Sequence, residues 1–256
     1  VTSEIWHEHR VLCGRWAVRL RREPLSVLAL IAQPMVWLLL FGHLFSRMAD
    51  AAAVPDYLRF MTAGAVAMTT FNACIAGGVE LLFDRETGFL VRMLASPAHR
   101  VSIVTSRFAY LAALTAVQSL IILAAAYVTG VRFATGLAGI GACLIIGALF
   151  GAGITALSMS LAFSLRNHSQ FFPITGFAGL PLTFASTALV PLALMPGWMR
   201  GLARVNPLTL ATDELRALLT AGWRPAGLAG TTGALLAFDA CCLLLATLAL
   251  RRGLRA

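Results

Sequence analysis

The 256-residue chain is 59% apolar and only 12% charged, with mean hydropathy +0.82 and formal net charge +9. Soluble domains carry about 25% charged residues, so this composition excludes an ordinary soluble enzyme and points into a membrane. All twenty basic residues are arginine, which excludes a lysine-bearing Walker-A phosphate loop and a Schiff-base lysine.

Residues 4–22 place Ile5, Val11, Leu12, Trp16 and Leu20 among arginines. That pattern predicts an amphipathic helix lying on the inner membrane surface, with Trp6 and Trp16 in the interfacial belt; an ordinary cytosolic tail helix also satisfies it. No cleaved signal peptide is expected, because this stretch is polar and basic. Glu23-Pro24 ends the helix, since a residue before proline avoids the helical region.

Six long apolar blocks follow, each near the ~20 residues that a spanning helix needs. The first covers residues 25–45, with Gln33-Pro34 inside it and a kink expected at Pro34. The second covers 58–82 and carries Thr69, Thr70 and Asn72 near its middle. The third covers 108–130, with Gln118 and Ser119 inside, and the fourth 137–165, where Gly147 and Gly151 form a GxxxG spacing that permits close helix approach. The fifth, 171–195, holds Pro173, Pro181 and Pro191 and is too broken for one smooth helix. The sixth covers 226–250 and ends at Arg251-Arg252. None alternates polar and apolar residues as barrel strands do.

Six spans put both termini on one side. With the termini inside, thirteen arginines lie inside and seven outside, the arrangement the positive-inside rule favours. The expected domain plan is a single membrane unit: a cytoplasmic amphipathic helix over 1–24, a six-span bundle over 25–250 and a cytoplasmic tail over 251–256. The expected location is the plasma (inner) membrane.

Two segments interrupt the apolar pattern. Residues 84–107 gather Asp84, Arg85, Glu86, Arg92, Arg100 and Arg107, while Phe89, Leu90, Met93 and Leu94 fall at helical spacing before Ser96-Pro97 breaks the run. A short amphipathic helix that docks a partner fits this pattern, and so does a solvated inner loop. In the second segment, Asn206-Pro207 marks a helix start with Asn as cap and Pro at the first position. Asp213 and Arg216 share a face and can pair, and Trp198 and Trp223 suit the outer interface. A short extracellular helical hairpin, half-buried or capping, is expected there, alongside the plainer reading of a connecting loop.

Polar groups inside the membrane prefer the bundle interior, so Gln33, Thr69, Asn72, Thr183 and Ser186 are candidates to line a substrate path; interhelical hydrogen bonding accounts for them equally. Asp239, near the middle of the last span, supports an alternative class, a proton-coupled secondary drug transporter. The five cysteines show no C-x-x-C spacing and read as packing residues. The five histidines are scattered, so no metal site and no catalytic residue is expected. No basic stripe with interleaved aromatics suggests nucleic acid.

Both polar segments resemble the permease subunit of type-2 ABC exporters, the drug and lipid export family that includes daunorubicin-resistance permeases. In the first, the match is Arg85-Glu86-x-Gly88, then Arg92, Leu94 and Pro97. In the second it is Phe184-x-Ser186, Pro191, Pro196-x-Trp198, Ala203, Asn206-Pro207-x-Thr209, Asp213 and Arg216. The resemblance implies an all-α membrane fold: six transmembrane helices, an N-terminal interfacial helix, a cytoplasmic coupling helix over 86–94 and an extracellular hairpin before the last span. It implies two cytosolic ATPase partners that hold ATP and Mg, with no cofactor on this chain, and a second permease copy, identical or not. Coupling would fall to Arg85, Glu86, Gly88, Phe89, Arg92, Met93, Leu94 and Pro97, and substrate would cross along spans one, two and five. Leu90 and Val91 depart from the polar residues many members carry there. Cargo is expected to be drug-like or lipidic, exported by alternating access with membrane lipid around the bundle.

Overall fold

A computed structural model describes residues 32–44, 57–89, 100–165 and 168–253, together with Gly14, Val18, Arg92 and Ala95. Among these the ordered structure is entirely helical. With no water to bond exposed N–H and C=O groups, a chain crossing a bilayer must satisfy its backbone within each segment, which the helix does. The elements are α1 over 32–44, α2 (Tyr57–Glu86), α3 (Arg100–Val128), α4 (Gly136–Ser164), α5 (His168–Phe184), α6 (Gly197–Val205), α7 (Pro207–Thr220) and α8 (Pro225–Gly253). A single π-helical turn, Trp37–Phe41, lies inside α1 three residues beyond Pro34.

Among the described residues, four helices are long and apolar enough to cross a membrane: α2, most of α3 (Val104–Val128), α4 and most of α8 (Pro225–Leu248). They coincide with the expected second, third, fourth and sixth spans. Residues 25–31 and 45 of the expected first span lie outside the described residues, as does all of the N-terminal amphipathic helix except Gly14 and Val18. As expected, the fifth block is not one smooth helix. Its helix ends at Phe184 instead of reaching residue 195, and 17 residues reach only ~25 Å, short of a ~30 Å hydrocarbon core. Pro173 and Pro181 are tolerated inside α5. Beyond it the chain reverses through residues 185–196, forms one 3₁₀ turn at Leu192–Leu194, and enters α6 and α7.

Helix α2 is the centre of the bundle. In its apolar window 72% of residues are buried, against 17% for α8. It packs on α1, α3, α4, α5 and α7, while α8 packs chiefly on α4. Small residues make these contacts close. The expected GxxxG pair on α4 faces α2: a methyl on Gly151 would lie 3.0 Å from Cys74 Sγ and 3.3 Å from Thr70. Where Gly78 of α2 meets α4, its N–H donates to Ser158 Oγ at 3.1 Å, and that hydroxyl donates to the Ile75 carbonyl at 2.6 Å. At Gly64 the approaching group is backbone, since a Cβ there would overlap the Ala188 carbonyl.

The hairpin is half-buried rather than a surface cap, with α6 mostly exposed and α7 mostly buried. Helix α7 buries Leu208, Leu215, Leu218 and Leu219, a stripe at helical spacing, against α2, α4 and α8. The α3–α4 turn is bonded to its end: the Ala134 N–H donates to Leu219 O at 3.0 Å and Thr135 Oγ1 donates to Leu218 O at 2.8 Å.

The backbone contact at Gly64 sets a test. Gly64→Ala is expected to lower the stability of the purified protein by ~1–3 kcal/mol, the usual range for overpacking. Gly141→Ala on α4, where a methyl meets nothing within 4 Å, is expected to leave it unchanged. Denaturant unfolding in detergent, followed by circular dichroism, measures both.

Candidate substrate path and coupling end

Asn72 lies at the midpoint of α2, 15 residues from Tyr57 and 14 from Glu86. At ~1.5 Å per residue that is the depth of a bilayer centre, where a carboxamide facing lipid is costly. Asn72 is exposed on the single chain. It opens into a cavity of about 150 Å³ with Gln33, Pro34, Met68, Thr69 and Gln118. Three of the five expected path residues, Gln33, Thr69 and Asn72, therefore meet in one place. The fourth polar wall is Gln118 of α3, buried at 5% exposure; its position inside the third span was visible in the sequence, but nothing there aimed it at Asn72.

Thr183 and Ser186 do not join this cavity. Ser186 is fully buried and donates to the Thr183 carbonyl at 2.6 Å, so both serve the turn after α5. Expected path residues thus divide between a cavity walled by α1, α2 and α3 and a turn beside the hairpin.

That turn is fixed by polar bonds. Asn206 caps α7, accepting from the Leu208 N–H at 2.9 Å, and Pro207 takes the first helical position. Its amide also donates to Leu182 O at 2.7 Å and Ala185 O at 2.9 Å, carbonyls freed at the end of α5. Arg216 donates to Asp213 Oδ1 at 2.8 Å, as the spacing predicted, and to Thr187 O at 2.7 Å; its guanidinium carbon stands 3.8 Å from the centre of the Phe60 ring. Thr187 donates to the same Asp213 oxygen at 2.6 Å. Burial pulls the Arg216 pKa down to about 10 while Asp213 opposes the shift, so the side chain stays charged at neutral pH. Trp198 stands exposed on α6.

At the opposite end of α2 lies the segment expected to couple to a partner. Arg85 and Glu86 form the last turn of α2 itself, a correction to the expectation that Glu86 opens a separate coupling helix. The chain then turns at Thr87 and Gly88. Gly88 holds φ +68°, a left-handed conformation that glycine adopts without a side-chain penalty. The Arg92 N–H donates to Gly88 O at 3.2 Å, and Phe89, Arg92 and Ala95 are helical. Met93, Leu94 and Pro97 lie outside the described residues. Arg85 donates to Leu165 O at 3.2 Å, joining this end to that of α4.

Sequence reading counted Arg107 only among the loop charges. It is 4% exposed and bridges helices, meeting Glu80 at 2.9 Å and Asp84 at 3.5 Å. The early part of α3 is thereby tied to the last turns of α2, on the two sides of the 87–99 connection. Asp239 is also buried, packed on Gly153 where α8 meets α4, and its Oδ1 has no hydrogen-bond partner among the described residues. A second buried acid, Glu214 on α7, accepts from Thr231 at 3.2 Å. No group of three or more metal-ligating side chains occurs among the described residues.

Comparison with known proteins adds a family. The profile of the ABC-2 type transporter family matches residues 9–220. A relative in Porphyra purpurea, described as a transport permease (ycf38), is 34% identical over 217 residues, covering 83% of this chain and 74% of the relative. A doxorubicin-resistance ABC transporter permease protein, DrrC, of Mycobacterium tuberculosis is 25% identical over 215 residues, 82% of this chain and 75% of its own. A daunorubicin-resistance permease protein, DrrB1, of Streptomyces coeruleorubidus is 24% identical over 212 residues, 80% and 73% of the two chains.

The Arg107 bridge is open to direct test. Arg107→Leu leaves two carboxylates in a mostly buried site and is expected to cost about 3 kcal/mol. Adding Asp84→Leu and Glu80→Leu is expected to recover part of that loss, because the two carboxylates that Arg107 neutralised are then gone as well. Unfolding of the single and triple variants in detergent compares them, and equal losses would show that the bridge is not the cause.

Proposed function

The chain belongs to the ABC-2 type transporter family, and from that premise we propose that it is the membrane subunit of an ATP-driven exporter of amphipathic, drug-like or lipidic molecules. The observation that carries this reading is the mid-depth polar cavity at Asn72. A carboxamide exposed at that depth calls for a polar surrounding, which a permeating molecule or a facing subunit supplies. The cavity of about 150 Å³ is small beside the ~300–1,000 Å³ of drug-sized sites. A second permease copy facing the exposed side of Gln33 and Asn72 would complete it, with the path running between the two copies. Apolar walls from Pro34, Met68 and Ala73 suit a greasy cargo. The drug-resistance names of two relatives are consistent with that class.

In this mechanism the permease does no covalent chemistry. ABC transporter permeases work with an ATPase, and here the ATPase would grip the segment after Gly88. Helix α2 runs unbroken from Glu86 to Asn72, so a push on its end tilts the wall of the cavity as a near-rigid body. Arg107 makes α3 follow, and Arg85 engages α4. Both termini would be cytoplasmic and the hairpin extracellular, in the plasma membrane.

Two measurements test this. Asn72→Leu is expected to cut efflux of a cationic amphipathic dye about tenfold, the effect of losing one hydrogen bond of ~1.4 kcal/mol, with recovery of the ATPase in pull-downs unchanged. Wild-type efflux from the variant would remove the cavity from the path. Glu86→Ala with Arg92→Ala is expected to weaken ATPase recovery and its stimulation, and unchanged values for both would sink the docking role. In the same assay a protonophore should leave efflux intact while an inactive ATPase abolishes it. The reverse result would favour a proton-coupled transporter built on Asp239.

A further inference from the structure

A second, larger groove on the described surface plays no part in the path or in coupling. It has a volume of about 560 Å³ and lies between the end of α3 and the start of α4. This is the end of the bundle away from the α2–α3 connection. Leu120, Leu123, Leu137 and Ile140 form its apolar walls, and Tyr127 and Arg132 stand at its mouth. Both flanking helices are of spanning length, so the walls face hydrocarbon and the mouth falls near the membrane surface.

The mouth is built rigidly. Helix α3 ends in a Schellman motif: the Val131 N–H donates to Ala126 O at 3.0 Å, the Gly130 N–H donates to Tyr127 O at 3.1 Å, and Gly130 takes φ +101°. Val131, 2% exposed, tucks into the core beside Ala126. That reversal swings Arg132 back over α3, with its guanidinium carbon 4.6 Å from the centre of the Tyr127 ring. Arg132 is exposed and forms no ion pair with a carboxylate among the described residues. The rest of the turn is bonded to the end of α7 through Ala134 and Thr135.

We propose that this groove binds one anionic phospholipid of the leaflet opposite the coupling end, with an acyl chain between α3 and α4 and the phosphate on Arg132. An arginine at headgroup depth beside a tyrosine matches a phosphate in charge and position. The same charge repels the cationic amphipathic dyes that serve as test substrates. A twofold contact between copies centred on this groove would bring two Arg132 guanidiniums together, which disfavours a second subunit as the occupant. The inference goes beyond the exporter reading and does not depend on it.

The test uses the full chain, purified in mild detergent and offered equal phosphatidylglycerol and phosphatidylcholine, with bound lipid counted by native mass spectrometry. Wild-type protein is expected to retain phosphatidylglycerol about fivefold over phosphatidylcholine, the preference expected from one arginine near an anionic headgroup. Arg132→Gln should bring the ratio to about one, and Leu137→Trp, which fills the groove from an exposed position, should reduce both lipids. Unshifted thermal melting of both variants confirms folding, and Arg200→Gln, remote on α6, should retain the wild-type ratio. A preference that survives Arg132→Gln, or is lost equally in Arg200→Gln, overturns the proposal. So does a Leu137→Cys variant that forms a disulfide between copies in liposomes, which would assign the groove to a subunit contact.

Discussion

Close packing around α2 is the constraint from which the rest of the structure follows. Inside a bilayer, helices gain nothing from hiding apolar surface from each other, because lipid tails are equally apolar. Contact must come from van der Waals fit and interhelical hydrogen bonds. Helix α2 obtains both by presenting glycines where neighbours arrive: Gly64 to the Ala188 carbonyl, and Gly78 to Ser158 and Phe171. Gly151 of α4 offers Thr70 and Cys74 of α2 the same close approach. Larger residues at these points would hold the neighbours off and leave Gly78 without its bond to Ser158.

Because α2 is held along its length, its two ends are mechanically joined. Glu86 and Asn72 are separated by 14 residues of continuous helix, or ~21 Å. The polar cavity and the coupling segment thus share one stiff element. The buried bridge from Arg107 to Glu80 and Asp84 extends that stiffness to α3, which contributes Gln118 to the same cavity. Packed helices rather than a loop therefore connect the segment after Gly88 to the cavity.

At the other end, the short α5 creates a problem that the hairpin solves. A helix ending within the bundle leaves its last carbonyls without intrahelical donors. Asn206 supplies donors to Leu182 and Ala185, and Arg216 supplies one to Thr187. The charge of Arg216 is balanced by Asp213 and by the face of Phe60. A cluster that looks like loop polarity in the sequence is therefore the set of groups that allows α5 to stop short and α7 to enter.

Local chemistry in the sequence determined much of this protein. Charge-free runs located four spanning helices to within a few residues in most cases, because length and apolarity suffice where backbone groups must bond within a segment. Only α3 begins well before its expected start, its first turns being too polar to read as membrane. Asn206-Pro207 as a helix start and Asp213 with Arg216 as a pair were legible, since capping and i,i+3 spacing are local rules. Order and spacing of residues in the two polar segments carried the family. Tertiary structure alone decided which polar residues meet. Helix rotation brought Gln33, Thr69, Asn72 and Gln118 to one cavity and kept Thr183 and Ser186 at a turn. It also decided between the half-buried and the capping reading of the hairpin, by packing the leucine stripe of α7 on α2, α4 and α8. Burial and convergence depend on which faces of distant helices touch, and that is a property of the packed bundle rather than of any one segment.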